Sequence, residues 1–120
     1  MIRVKCTREG LVSQLTASGH IIQVEDWFCA LPSVRALRRT IKIWTDDPNQ
    51  YASRAYWTVP VLDVGPWNTH DDAYVFNGAR PQAESGVDTR GRPTNGSGID
   101  LSDLVYKTLG EPEFVWWEWV

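Results

Sequence analysis

Cysteine, histidine and methionine are scarce in this 120-residue chain, at two, two and one. Cys6 and Cys29 are too few for a disulfide framework, and no cysteine or histidine stands at a metal-ligand spacing. A zinc site built from His20 and His70 would have to borrow carboxylates, so neither a metal nor a cofactor is expected. Two buried thiols in neighbouring strands are the plain reading. A single Cys6–Cys29 bridge stays open for a protein that works in an oxidising compartment. No apolar run approaches the ~20 residues of a membrane span. The N-terminus, MIRVKCTREG, is interrupted by charge and lacks the apolar core of a signal peptide. The chain is therefore read as made without an export signal or as trimmed.

Basic clusters are also few. Residues 1–40 balance at +3 and residues 41–120 at −6, for a net charge of −3. Tracking phosphates needs clustered Lys and Arg. Arg35, Arg38 and Arg39 form the one cluster, and their helical spacing suits a solvated face. Nucleic acid is not an expected partner, nor is a membrane. What remains is 42% hydrophobic and 22% charged, the composition of a single globular domain spanning 1–120.

Short alternating or apolar runs read as strands: IRVKC at 2–6, WFCAL at 27–31, TIKIW at 40–44, AYWTVPVLDV at 55–64 and FVWWEWV at 114–120. Pro60 cannot donate to a ladder and belongs at an edge or a bulge. DDPNQ at 46–50 reads as a turn. A short helix follows the Ser33 cap, and LSDLVYKTLG at 101–110 reads as a second, with Ser102 and Gly110 at its ends. Many strands and few helices favour a mainly β, closed barrel, which leaves no exposed edge.

Residues 65–98 stand apart. They are rich in Gly, Pro, Asn, Asp, Ser and Thr and, beyond a short strand signal at Tyr74–Phe76, lack periodicity. Loops this long are uncommon in compact domains unless they work or are disordered. This one holds Trp67, His70, Tyr74, Phe76, Arg80 and Glu84. Aromatic faces mixed with hydrogen-bonding groups suit sugar rings, so Trp67, His70, Tyr74, Arg80 and Glu84 are candidate substrate contacts, and Trp67 is the candidate sugar platform. Most of the seven tryptophans are assigned to the core or barrel wall. Asp63 precedes the loop and Asp100 closes it. Paired carboxylates flanking a bond are what glycosidic cleavage needs. Plainer roles stay open: Asp63 can support the Gly65-Pro66 turn, and Asp100 the start of the following helix.

The order TASG at 16–19, ALP at 30–32, VPVLDVGPW at 59–67, GIDLS at 98–102 and LG at 109–110 resembles the double-psi β-barrel domains. In particular it resembles the rare-lipoprotein-A family of septal lytic transglycosylases. The barwin, expansin and family-45 endoglucanase barrels are similar more distantly. The resemblance implies a six-stranded double-psi β-barrel with two short helices, into which 65–98 is inserted as one wall of a groove. It implies that Asp100 is the catalytic acid, that Asp63 is the second, charged carboxylate, and that Thr16 contacts substrate beside them. Val64 departs from the family's usual Arg, and the inserted segment is far longer here. Two activities fit, a lytic transglycosylase in which the sugar's own C6 hydroxyl attacks, or a muramidase in which water attacks. Either would act as a monomer on peptidoglycan or a related polysaccharide, at the cell wall or outside the cell. A phage origin fits the missing export signal. A non-catalytic, expansin-like binding module and a structural domain of a phage or cell-wall assembly are the competing classes.

Overall fold

The structure, a computed structural model, describes residues 2–46 and 55–120. Most of the 46–50 turn segment lies outside them. Six strands close into one barrel: β1 (Ile2–Arg8), β2 (Cys29–Leu31), β3 (Thr40–Trp44), β4 (Trp57–Val64), β5 (Ile99–Leu101) and β6 (Phe114–Trp119). Their order around the barrel is β1-β5-β2-β4-β3-β6. β1 runs parallel to β5 and β2 parallel to β4, while every other neighbouring pair is antiparallel. This mainly β architecture is compatible with a double-psi barrel. No described helix is long and apolar enough to cross a membrane.

The alternation read from the sequence fills the interior. Val4 and Cys6 of β1, Ile41 and Ile43 of β3, Val59 and Val61 of β4, Ile99 and Leu101 of β5, and Val115 and Trp117 of β6 are all buried. Burial on this scale is what drives closure, at ~25 cal/mol per Å² of apolar surface removed from water. Cys6 and Cys29 are free and buried, and their strands are not neighbours because β5 runs between them. Trp116 points outward and stacks on Trp44 with ring planes 4° apart.

Pro60 sits where its missing N–H costs nothing. Val61 gives its N–H to Arg39 O (2.8 Å), and its carbonyl accepts from Arg38 N (2.7 Å). Alternation then turns the Pro60 nitrogen toward the β2 side, where pairing begins only at Cys29↔Val61. Just beyond, β4 carries one residue more than β2: Cys29 pairs with Val61, but Ala30 pairs with Asp63. Leu62 is the extra residue of this bulge. Without it, Asp63 would keep the inward parity of Val59 and Val61.

Two short α-helices lie among the described residues. α1 (Asp72–Asn77) lies in the inserted segment and α2 (Asp103–Thr108) follows β5. The expected helix after Ser33 is a single 3-10 turn, Val34–Ala36, with Ser33 Oγ accepting from Arg35 N. The strand signal at Tyr74–Phe76 is instead helix α1, because Tyr74 and Val75 face the barrel from one helical turn. The rest of 65–98 is ordered by side chains that satisfy its backbone. Buried Asn68 accepts from Thr89 N and donates to Gln82 Oε1. Asp71 accepts from Gln82 N, and buried Asp88 accepts from Arg90 N and Arg92 N. Phe76 stacks on Trp119 at 5.3 Å, and the Arg39 guanidinium covers Trp119 at 4.1 Å.

Gly98 is where this segment re-enters the barrel. A Cβ there would stand 2.8 Å from Pro81 Cγ, 3.0 Å from Tyr74 Oη and 3.2 Å from Val4 Cβ. Gly98→Ala is expected to lower unfolding stability by about 1–3 kcal/mol through overpacking, read as a lower urea midpoint at unchanged slope. Wild-type stability in this variant would show that the contact relaxes freely.

Candidate functional site

The closed sheet aligns one row of residues across four strands. Thr7 on β1 pairs with Asp100 on β5, Asp100 with Ala30 on β2, and Ala30 with Asp63 on β4. The inward neighbours of this row, Cys6, Ile99, Leu101, Cys29 and Leu31, are buried in the core, so the row lies on the outer face of the barrel. β5 presents Asp100 there by simple alternation. β4 presents Asp63 there only because of the Leu62 bulge, a common way to re-aim a side chain beside a working site. Ala30 between them leaves room for a third group.

That group is Glu9. It continues β1 past Arg8, with its N–H bonded to Leu101 O at 2.8 Å, and shares the outward parity of Thr7. Its carboxyl reaches hydrogen-bond contact with Asp63, and its Oε2 is buried without a partner. Burial pushes Glu9 from the ordinary 4.5 up to about 9, and the nearby Asp63 and Asp100 charges add to this. Burial likewise raises Asp100 from 3.8 to about 6, against a hydrogen bond from Thr7 Oγ1 and with help from Asp63. Two carboxyls in hydrogen-bond contact need a proton between them, so the cluster stores at least one acidic proton at neutral pH. Thr7 Oγ1 also lies 2.9 Å from Ser97 Oγ.

The remaining sequence candidates divide. Asp63 and Asp100 share the row. Asp63 Oδ1 accepts from Ala17 N (2.8 Å) and Val64 N (2.9 Å), so this oxygen is fully engaged by backbone. Thr16 is buried, and its Oγ1 accepts from His20 N and meets Ser18 Oγ, closing the tight turn that delivers Ala17 to Asp63. Trp67 is 39% exposed, and its Nε1 donates to Asn95 Oδ1, which also accepts from Ser97 N. It therefore stands beside the Thr7–Ser97 end of the row. His70 is exposed, bridges to Ser33 and bonds Thr69. Tyr74 is a core residue whose hydroxyl donates to Gly98 O and accepts from Trp117 Nε1. Arg80 and Glu84 pair with each other at 2.6 Å, and Arg80 also holds Arg3 O at the opposite end of β1. Among the described residues, no cluster of three His, Cys, Asp or Glu has the arrangement to hold a metal.

Glu9, Thr7 and Ser97 were not singled out from the sequence. The signal was the strand period: extending β1 three residues past Cys6 puts Thr7 and Glu9 on one face. Two clefts, of about 290 and 260 Å³, are lined by other residues, including Arg3, Asp46 and Phe114 in one and Phe76, Arg80 and Trp119 in the other. Neither includes the carboxyls.

Residues 1–118 match a family model described as a domain of unknown function, DUF8814, and the chain belongs to that family. No curated protein matches it.

The raised carboxyls set a pH dependence. Both hold protons more tightly when folded, so between the unfolded and folded values the folded chain binds more protons, and stability falls as pH rises. Asp100 contributes this loss from 3.8 to about 6, and Glu9 from 4.5 to about 9. The melting temperature should therefore decline from pH 6 to 9, and Glu9→Gln should remove most of that decline. An equal slope in both proteins would place the proton elsewhere.

Proposed function

We propose that this domain cleaves the glycan strands of peptidoglycan, by lytic transglycosylase or muramidase chemistry, in the groove that crosses Thr7, Asp100, Ala30 and Asp63. The observation that carries the reading is the raised, half-buried Asp100 in one row with Asp63, with a third carboxyl, Glu9, beside them. Cleaving a glycosidic bond needs one carboxyl that holds a proton and one that can take a proton or stabilise positive charge. Acids in such different surroundings can divide those tasks. The motif order resembling the rare-lipoprotein-A family supports the same reading, because Asp100 and Asp63 stand at its matching positions. Trp67, exposed beside the row, offers a ring face to a sugar. The site of action would be the cell wall.

One observation favours a second reading. Asp63 is engaged by two backbone N–H groups, as a structural carboxylate would be. A polysaccharide-binding module without catalysis would need no more from it.

The test is mass analysis of soluble products after incubation with purified peptidoglycan, with Asp100→Asn alongside. Products short of one water, absent with the variant, are the transglycosylase outcome. Ordinary reducing-end muropeptides are the hydrolase outcome. Protein that pellets with the wall and releases nothing would replace the enzyme by the binding module. Asp100→Asn should lower the rate by at least about 100-fold while the fold is retained.

A further inference from the structure

We infer that Glu9 is the proton donor of this groove, and that Asp63 is a positioning residue acting through Glu9 and not on the substrate. The inference rests on the glycan-cleavage reading and changes who does what within it.

The geometry separates the three acids. Asp63 Oδ1 is occupied by Ala17 N and Val64 N, and the carboxyl also meets Glu9. Little of Asp63 is left for a ligand. Its contacts hold two things in place: the 16–20 turn, which is docked a second time through Ser18 N to Leu62 O (3.2 Å), and the Glu9 side chain. Glu9 has the opposite condition. Its carboxyl meets Asp63, and its Oε2 is shielded from water and takes no hydrogen bond from a donor. A buried carboxyl oxygen without a partner is costly if charged and far less so if the group is protonated. Asp100 differs again, because the Thr7 hydroxyl donates to it, which favours its carboxylate.

The step then balances. Glu9 gives its proton to the glycosidic oxygen, and the C1–O bond breaks with its electron pair going to that oxygen. A hydroxyl oxygen, of water or of the sugar itself, bonds to C1 and gives its proton to the Asp100 carboxylate. Glu9 ends as carboxylate and Asp100 as acid, and proton exchange with solvent restores both. No redox partner is needed.

The consequence is a bell-shaped rate profile, with Asp100 ionised above its acidic limb at about 6 and Glu9 protonated below its alkaline limb at about 9. Asp63→Asn is the informative variant. The amide keeps an oxygen for Ala17 N and Val64 N, so the turn stays docked, but it loses the charge and offers Glu9 an N–H. Both changes make Glu9 more acidic. The experiment measures product release from purified peptidoglycan between pH 4 and 10 for wild type, Glu9→Gln, Asp63→Asn and Asp100→Asn. It is paired with carboxyl carbon-13 NMR titration of Glu9 in wild type and Asp63→Asn.

Glu9→Gln is expected to lose at least about 100-fold in kcat with a melting temperature near pH 6 no lower than that of wild type. Asp63→Asn is expected to move the alkaline limb and the Glu9 titration down together, by a unit or more. An active Glu9→Gln enzyme, or an Asp63→Asn enzyme as inactive as Asp100→Asn, would overturn the assignment. So would a Glu9 that titrates at its ordinary 4.5 in wild type. A wild-type protein that releases nothing sinks the cleavage reading itself, and the catalytic assignment with it. The titration then still decides whether Glu9 holds the proton against Asp63.

Discussion

The register at Ala30 is the constraint on which the rest depends. This one small residue pairs with Asp100 on one side and Asp63 on the other. Its side chain is short, and the Glu9 carboxyl meets Asp63 and lies near Asp100. A larger residue there would separate the acids or push Glu9 into solvent, where its affinity for a proton would return to the ordinary range. The single extra residue in β4 serves the same end. The barrel interior is filled by strict alternation, and a carboxyl in phase with Val59 and Val61 would be driven into it. The bulge breaks phase once and resolves the conflict between core packing and chemistry.

The strands were legible because their periodicity is the same physics that closes the barrel. Ile41 and Ile43 alternate in the sequence and are buried together in the structure. Pro60 announced a break in the ladder, and a bulge lies two residues on. The C-terminal helix was legible from its polar start at Ser102 and its stop at Gly110. The inserted segment was not legible in detail. Its order comes from single side chains bonding distant backbone, as Asn68 does to Thr89, and such contacts leave no period. α1 is six residues long, too short for a helical pattern to exceed that of a strand.

At the site, Asp63 drew attention because it ends an apolar run, and Asp100 because it closes the long loop between Ile99 and Leu101. Glu9 sits in a mixed stretch, CTREG, and looks like any charged residue leaving a strand. Only the closure of β1 against β5 brings it to Asp63 and Asp100. The loop residues chosen for chemical type turned out to have different surroundings. Tyr74 is deep in the core, and Arg80 and Glu84 satisfy each other. Residue type marked them as capable of binding, while exposure and partners are decided by tertiary structure alone.

The ring order gives β6 a particular responsibility. It lies between β1 and β3, so the first strand of the chain and a middle one are joined only through the last. Until β6 is in place, both present open edges, the usual starting points for intermolecular pairing. Any folding route that docks β6 late therefore passes through an unclosed barrel, and only fast docking of β6 or a chaperone would shield those edges.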